Sequence, residues 1–534
     1  MLNPSPQSIE LGEQRVPGQY FFSDSSELPE WLGEAEPESL LALGDVEYFF
    51  TEEQQRLPHI RNTLLAAIGA AKKKVFFCSW IFADDLIVRA LCEAAERLHG
   101  GVYILTALEK DLRPDRNESD ELDPDEIKIA QRRERHIDNL HNLARAGAWL
   151  RSVPDCHPKF CVIDDEVAIV TSANATSQAY EENPENGVLL RAPSLARELG
   201  RLFAHAWLHL ANLESPPGAN INAMHLRPGT APAWRELQPT APFSVVCTLN
   251  NIETSLRDRT VALLDAAERE IIIATYHVVG LEDHPVGQAV RRALRRGVRL
   301  LLLMRPNNLL ADQCASCGWL LEGMPAESWC VRGHSRTHAK AVVVDGKKAL
   351  LWTGNLDGYR GYEAGLEVGI EAEHAGFVAA VRRHMIALAA RSPLSGVLRP
   401  RLAELSGVSG IPWTSDLELL LSQGQAARLP ADFVDRLQRE VISYWKSAEG
   451  RFHLQVGREL TLRASLKSNM LIVEDLVQGP AALQGLRPDG FFGRCKLRIA
   501  IRREPERPTH QPRKLGPRNR TRSHAGSAQG RGRR

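Results

Sequence analysis

The sequence predicts an α/β protein of two pseudo-symmetric repeats that share one active site, followed by a small C-terminal α+β region and a disordered basic tail. Three observations carry this prediction. A polar constellation occurs twice, 181 residues apart, in near-identical register. Apolar patterns around each copy alternate between strand and helix in the same order, as a layered α/β unit requires. At 534 residues the chain is longer than one core ordinarily serves.

Taken in order, residues 1–44 are rich in Pro, Ser and Glu and read as an acidic lead-in. The first repeat, 45–214, runs helix (about 55–71), strand Lys74-Val75-Phe76-Phe77-Cys78, helix (about 86–98) and strand Val102-Tyr103-Ile104-Leu105. A charged segment from Asp111 to Asp125 follows, with Asp115, Glu118, Asp120, Glu121 and Asp123 inside it. It reads as a solvated loop; a lid that repels wrong anions is the sharper alternative. A helix near 126–146, a strand at Ala148-Trp149-Leu150, the first polar motif and a helix near 195–212 complete the unit. Residues 215–242, with Pro216, Pro217, Pro228, Pro232 and Pro239, read as a linker.

The second repeat, 243–393, copies that order. Strand Ser244-Val245-Val246-Cys247 leads to a helix at about 252–268, strand Ile271-Ile272-Ile273-Ala274 and a helix at about 285–296. Strand Val298–Leu303, a helix near 309–322, the second motif and a closing helix near 374–391 follow. Residues 394–503 are expected to form the accessory α+β domain: helices near 415–423 and 430–447, then strands at about 459–465, 470–475 and 494–502. In its last strand Leu497, Ile499 and Ile501 face one way and Lys496, Arg498 and Arg502 the other. In the tail, 504–534, the stretch from Arg507 to Arg534 holds nine Lys/Arg and no carboxylate, a composition that is expected not to fold alone and to bind a polyanion.

The two motifs read His157-Pro158-Lys159-Phe160-Cys161-Val162-Ile163-Asp164 and His338-Ala339-Lys340-Ala341-Val342-Val343-Val344-Asp345. Each is His-x-Lys-x4-Asp, and each is followed eight residues past the Asp by a hydroxyl residue and x-Asn: Ser172-Ala173-Asn174 and Thr353-Gly354-Asn355. Glu185 and Glu367 come 28 and 29 residues after the histidines. The β-branched and aromatic runs read as strands, so His and Lys, two apart, point the same way. Imidazole, ammonium, hydroxyl and amide on one face suit a phosphate: charge for its oxygens, neutral donors, and a group that attacks or protonates.

This doubled motif resembles the signature of the phospholipase D superfamily over roughly residues 45–393. The chain departs from the family pattern in having Thr171 and Trp352 before the hydroxyl residues and Thr353 in place of the second Ser. Retention of Asp164 and Asp345 sets it apart from the tyrosyl-DNA phosphodiesterase branch. The resemblance implies a phosphodiesterase acting through a phosphohistidine, with His157 as nucleophile and His338 as general acid/base. Lys159 and Lys340 would neutralise charge on the phosphoryl oxygens, with Ser172, Asn174, Thr353 and Asn355 donating hydrogen bonds. Glu185 and Glu367 would orient the imidazoles. Asp164 and Asp345, at strand ends, read as structural. No cofactor and no metal is expected.

The balance of 66 basic against 66 acidic residues leaves no net charge. No signal peptide and no apolar run approaching the roughly 18 residues of a membrane helix stand out. Nine scattered cysteines favour a reducing compartment, so a cytoplasmic location is expected. Cys314, Cys317, Cys330 and His334 have zinc-finger-like spacing, but the first pair falls in a helical pattern and Cys330 in a strand, where buried thiols are commoner. Trp80 and Trp207 read as core or surface, and Trp352 as pocket or packing. The leading expectation is a nuclease, supported by the Arg-rich tail and the basic face of the last strand. The alternative is a phospholipase D or cardiolipin-synthase-like enzyme, since a basic tail also binds anionic lipid.

Overall fold

The structure is a computed structural model that describes residues 20–24, 27–33, 40–51, 59–107, 124–219, 225–226, 233–305, 311–334 and 336–398, and the strands of a C-terminal sheet between 413 and 503. The chain begins with β1 (Tyr20–Asp24), β2 (Leu40–Leu43) and β3 (Val46–Thr51). The first half continues through α1 (His59–Ala70), β4 (Val75–Cys78), β5 (Phe82–Ala83), α2 (Asp85–Arg97), β6 (Val102–Thr106), α3 (Pro124–Arg145) and β7 (Trp149–Ser152). Then come β8 (Phe160–Ile163), β9 (Val167–Thr171), β10 (Ala175–Thr176), α4 (Ser177–Glu181), β11 (Glu185–Leu190) and α5 (Pro193–His205). Short strands β12 (Leu213–Ser215) and β13 (His225–Leu226) follow.

The second half repeats the series: β14 (Phe243–Leu249), α6 (Ser255–Asp265), β15 (Glu270–Ala274), β16 (Val278–Val279), α7 (Pro285–Arg295), β17 (Arg299–Met304), α8 (Ala311–Leu321) and β18 (Trp329–Gly333). It ends with β19 (Ala341–Val344), β20 (Lys348–Trp352), β21 (Leu356–Asp357), a π-helical turn (Arg360–Ala364), β22 (Leu366–Ala372), α9 (Ala375–Ala390) and β23 (Leu394–Leu398).

Each half is a mixed sheet with one internal order: β7-β6-β4-β8-β9-β11-β3 in the first and β18-β17-β15-β19-β20-β22-β14 in the second. The two-repeat α/β prediction therefore holds. The sheets are extended at their edges by segments the repeat logic did not include. Strand β1, from the lead-in, pairs antiparallel with β23, and β2 pairs with β3, so residues 20–24 and 40–43 join different halves. Strands β12 and β13, at the start of the expected linker, extend the edge beyond β7. Strand β3 was not read from the sequence, although its counterpart β14 was.

One face of each sheet is covered by its own helices, and the pattern that made them legible is the one they bury. In α7, Val286, Ala289, Val290, Ala293 and Leu294 are buried while Arg291, Arg292 and Arg295 lie outward; Pro285 at the first helical position and the His284 cap fix its start. The other faces meet across the halves in one continuous core containing Phe160, Val170 and Val188 with Leu351, Val368 and Ile370. There β11 and β22 are buried along their whole length, which places Glu185 and Glu367 out of water at the junction.

Beyond residue 398 a six-stranded sheet has the order β24 (Trp413–Leu420), β29 (Leu497–Arg503), β28 (Met470–Gln478), β27 (Leu460–Lys467), β26 (Arg451–Val456), β25 (Val441–Lys446). The expected strands near 459–465, 470–475 and 494–502 match. The helix expected near 415–423 is corrected to β24, and the described part of the one near 430–447 is strand β25. Tertiary pairing overrides helical patterning there: both segments join the ladder of this sheet, β24 at an edge against β29 and β25 against β26. The charged segment up to residue 123 and the tail from 504 lie outside the described residues. Among the described residues no helix is long and apolar enough to cross a membrane.

Candidate active site

His157 and His338 stand in extended chain just before β8 and β19, so the motif histidine and lysine precede the strands and do not lie within them. The apolar parts of the motifs form the strands that fix these approaches. Each motif aspartate follows its strand in the left-handed region, with φ of 57° at Asp164 and 55° at Asp345. Asp164 accepts from the backbone N–H groups of Lys72, Lys73 and Lys74 at 2.7, 2.8 and 2.9 Å. Asp345 accepts from those of Glu268, Arg269 and Glu270 at 3.0, 2.7 and 3.0 Å. Each ties the motif strand to the start of its neighbour, β4 or β15.

The pairing of imidazoles and carboxylates is crossed between the halves. Glu367 Oε1 lies 2.6 Å from His157 Nδ1, and Glu185 Oε2 lies 2.8 Å from His338 Nδ1. Spacing along the chain could not show this, because each Glu is near its own motif in sequence and serves the other. Further bonds tie the halves here: His338 N–H donates to Pro184 O at 2.9 Å, Lys340 N–H to Asn186 Oδ1 at 2.9 Å, and Asn186 Nδ2 to Lys340 O at 3.1 Å. Asn186 was missed from sequence; its counterpart in the second half is Val368, so no repeat signal marks it.

The hydroxyls expected among substrate donors are directed elsewhere. Ser172 Oγ donates to Glu185 Oε2 and Thr353 Oγ1 to Glu367 Oε2, both at 2.5 Å. Both hydroxyls also accept backbone N–H groups, from Asn186 at 2.9 Å and Val368 at 3.0 Å. They hold the carboxylates that hold the imidazoles. Asn174 and Asn355 line the cavity, and the buried Oδ1 of each meets no partner among the described residues. Lys159 and Lys340 are fully buried; Lys159 Nζ donates to His157 O, and to Thr353 O at 3.4 Å, while Lys340 Nζ donates to His338 O at 2.8 Å.

Burial dominates the electrostatics. It lowers both imidazoles, His338 to about 4, against the opposing pull of the facing carboxylates. Burial also lowers Lys159 to about 8 and Lys340 to about 7. It raises the two glutamates, but the facing histidine, the nearby lysine and the hydroxyl together outweigh it, and both stay below the usual Glu value. A phosphate anion placed here would shift the histidines and lysines back up, since it favours every cationic form.

The cavity between the halves holds about 460 Å³. Besides the histidines it is lined by residues the motifs do not contain: Trp80, Arg133, Tyr276, His277, Arg305 and Arg360. Trp80 and Tyr276 stand beside the two histidines, with ring centroids 6.2 Å from His157 and 5.0 Å from His338. Trp352 and Trp207 are packed in the core. Of the zinc-like set, Cys317 is buried with Sγ 3.8 Å from Met304 Sδ, and His334 Nδ1 accepts from Arg336 N–H at 3.2 Å. Among the described residues no group of three or more His, Cys, Asp or Glu is placed to hold a metal ion.

Two like halves, each giving a histidine and a glutamate to one cavity and burying a lysine behind its histidine, define a phospholipase D-type enzyme fold. A family model described as "Cardiolipin synthase, PLD-like domain" matches residues 64–207 and again 260–389, just over half of the chain. The chain belongs to the phospholipase D superfamily. No curated protein matches it. Among solved structures it is similar to phosphatidylserine synthase of Haemophilus influenzae Rd KW20, at 14% identity over 67% of this chain and 88% of that one, TM-score 0.47. It is also similar to the phospholipase D family member Nuc of Salmonella typhimurium (22% identity, 32% of this chain, 97% of that one, TM-score 0.25). A third similarity is to polyphosphate kinase of Porphyromonas gingivalis (12% identity, 64% of this chain, 49% of that one, TM-score 0.40).

Proposed function

We propose that this protein cleaves phosphodiesters in two steps through a phosphohistidine, and that its substrate is a nucleic-acid backbone. The crossed His–Glu pairs carry the reading: each Nδ1 is held by a buried carboxylate, leaving each Nε2 for the reaction. The lone pair of neutral His157 Nε2 attacks phosphorus. The bond to the leaving oxygen breaks as His338 Nε2–H gives that oxygen its proton. In the second step His338, now neutral, takes a proton from water as the water oxygen attacks, and the P–N bond breaks.

His338 is held far below neutrality by burial, so the proton it needs at neutral pH is supported by the anionic substrate itself. Lys159 and Lys340 supply the positive field at the phosphoryl oxygens, and the side-chain amides of Asn174 and Asn355 on the cavity wall donate hydrogen bonds to them. Glu185 and Glu367 fix the imidazoles and stabilise their cationic forms. The nucleic-acid preference is supported by three arginines on the cavity wall, by the exposed Trp80 as a stacking platform beside His157, and by the Arg-rich tail.

Phospholipid hydrolysis or phosphatidyl transfer is the second reading. The family model's description favours it, as do the exposed aromatics Trp80 and Tyr359, 41% and 67% accessible. Purified full-length protein should be assayed on plasmid, single-stranded DNA, RNA, and vesicles of phosphatidylglycerol and cardiolipin. Cleavage of a nucleic acid, with phosphate label on His157 in quenched His338→Asn protein, is the expected result. Turnover confined to vesicles would replace the nuclease reading with the lipid one. Label on His338 alone would reverse the two roles, and no label would end the covalent mechanism.

A further inference from the structure

The internal repeat allows parts of the two cavity walls to be compared position by position, and at the positions in register, which do not include Arg133 of the first half, they differ in one direction. The register is set by matched hydrogen bonds. Ser79 N–H donates to Leu105 O and Thr275 N–H to Leu303 O. Ser79 Oγ donates to Ile81 O and Thr275 Oγ1 to His277 O, both at 2.9 Å. The same hydroxyls accept from Ala175 N–H and Leu356 N–H, at 3.0 and 2.9 Å. Trp80 thus corresponds to Tyr276, Ile81 to His277, Ala107 to Arg305 and Thr176 to Asp357. Thr176 caps the N–H of Ala179 while Asp357 caps that of Arg360, so Ala179 corresponds to Arg360.

Beyond the shared aromatic, each of these four exchanges puts an ionisable side chain in the second half where the first has an apolar or neutral one. The motif residues remain matched. A scissile phosphate between the two histidines sees both halves alike, and its charge is met by one lysine from each. Cations added to one wall serve something off that axis. Arg305 stacks over Tyr276, 5.4 Å from its ring centre, and Tyr276 stands against His338.

Arg360 sits in a turn that keeps the register of the repeat: Glu182 N–H and Asn183 N–H donate to Gln178 O in the first half, and Glu363 N–H and Ala364 N–H to Tyr359 O in the second. The second Glu falls 29 residues after its histidine and the first 28. The extra residue falls after Ala364, in Gly365-Leu366, and the π-helical turn Arg360–Ala364 stands where the first half has α4. The turn is held at both ends: Asp357 Oδ1 accepts from Tyr359 N–H and Arg360 N–H at 3.0 and 2.9 Å, and Glu363 binds Arg257 at 2.7 Å and His284 at 3.3 Å. The Asp357 carboxylate also faces His277 at 3.8 Å, so the acidic groups of this wall are engaged while Arg360 pairs with no carboxylate among the described residues.

We propose that the second-half wall is the subsite for the leaving alcohol, and that this alcohol bears a phosphate of its own, bound by Arg305 and Arg360. The assignment of the wall to the leaving group rests on the reading of His338 as the acid that serves the leaving oxygen. A guanidinium offers a planar fork to phosphate oxygens, and two of them outline a site for one such group. The neighbouring phosphate of a polynucleotide and the terminal phosphate of a phosphatidylglycerol phosphate are two sources of this chemistry.

The test compares substrates that differ only in that phosphate: a thymidine dinucleotide with and without a terminal phosphate on the leaving nucleoside, and phosphatidylglycerol phosphate against phosphatidylglycerol in mixed micelles. Full-length protein should prefer the phosphorylated member by roughly tenfold or more in kcat/KM, the size of one charge-assisted hydrogen bond. The pair that is turned over identifies the source. Arg305→Met and Arg360→Met should each reduce the preference towards unity, and Arg305→Lys and Arg360→Lys should restore part of it, with melting temperatures confirming that the variants fold. A wild-type preference near unity, or one that neither Met variant changes, would overturn the inference. If neither pair is cleaved, the proposed reaction fails, and calorimetry still decides the subsite. Tighter binding of glycerol 1,3-bisphosphate than of glycerol 3-phosphate, weakened in the Met variants, sustains it; equal binding overturns it.

Discussion

Replacing Glu367 by Gln should disable His157, a residue 210 positions away in the other half of the molecule. In the wild-type structure Glu367 accepts from Thr353 Oγ1 on one oxygen, and its other oxygen lies 2.6 Å from His157 Nδ1. A glutamine has one acceptor and one donor. If its carbonyl keeps the Thr353 bond, its NH2 faces Nδ1, which must then accept; the proton moves to Nε2, and the imidazole loses the lone pair that attacks phosphorus. The lost electrostatic support is of similar weight: opposite unit charges about 4 Å apart at an effective dielectric of about 20 interact by about 4 kcal/mol. Both routes point to a fall of about 10³ to 10⁴ in the rate of phosphohistidine formation. Glu185→Gln should instead cripple His338. With a good leaving group such as p-nitrophenol it should still form the adduct, but hydrolyse it slowly and accumulate label on His157. Rapid-quench kinetics with mass spectrometry on the two variants separates the steps. If Glu367→Gln accumulates adduct and Glu185→Gln does not, either the pairing is not crossed in solution or the histidine roles are exchanged. A double variant settles which: Glu367→Gln added to His157→Ala should cost nothing further if the two act as one unit.

Asp345→Ala should destabilise the fold by about 2–4 kcal/mol, because it strips three backbone N–H groups of their acceptor at a left-handed position that alanine resists; a melting temperature unchanged from wild type would contradict the structural role. Acid should unfold the protein early. Burial holds His136 at about 4 and His384 at about 3, both below the ordinary 6.5. Their contribution is complete above pH 6.5 and is lost as pH falls towards those values, by about 2 kcal/mol each at pH 5. Denaturant midpoints at pH 7 and 5 measure this, and His384→Phe should flatten part of the slope. Deleting Arg507–Arg534 should weaken polyanion binding at low ionic strength and flatten its salt dependence, while turnover of a small chromogenic phosphodiester, which carries one charge, stays nearly the same. Collapse of that turnover would tie the tail to the active site.

The sequence by itself determined the repeats, their α/β character and the cast of the site. Strands such as Ile271–Ala274 and helices such as α7 write their burial into residue periodicity, and a duplicated motif states its own register. It also marked the 28-against-29 spacing, but only the structure puts the extra residue after Ala364, beyond the turn that carries Arg360. Sequence separation alone could not disclose the crossed pairs, because which Glu meets which His depends on how two sheets pack face to face. Strand pairing within each sheet turned Ser172 and Thr353 towards the carboxylates, and the packing of the halves brought Trp80 and Arg305, silent in any motif, to the cavity wall. The pairings of β1 and β2 were illegible for a related reason: an edge strand is specified by the partner it finds, and local patterning records that partner weakly. Segments 413–420 and 441–446 were misread as helix because cross-strand pairing within the C-terminal sheet, which no local window contains, decides their state.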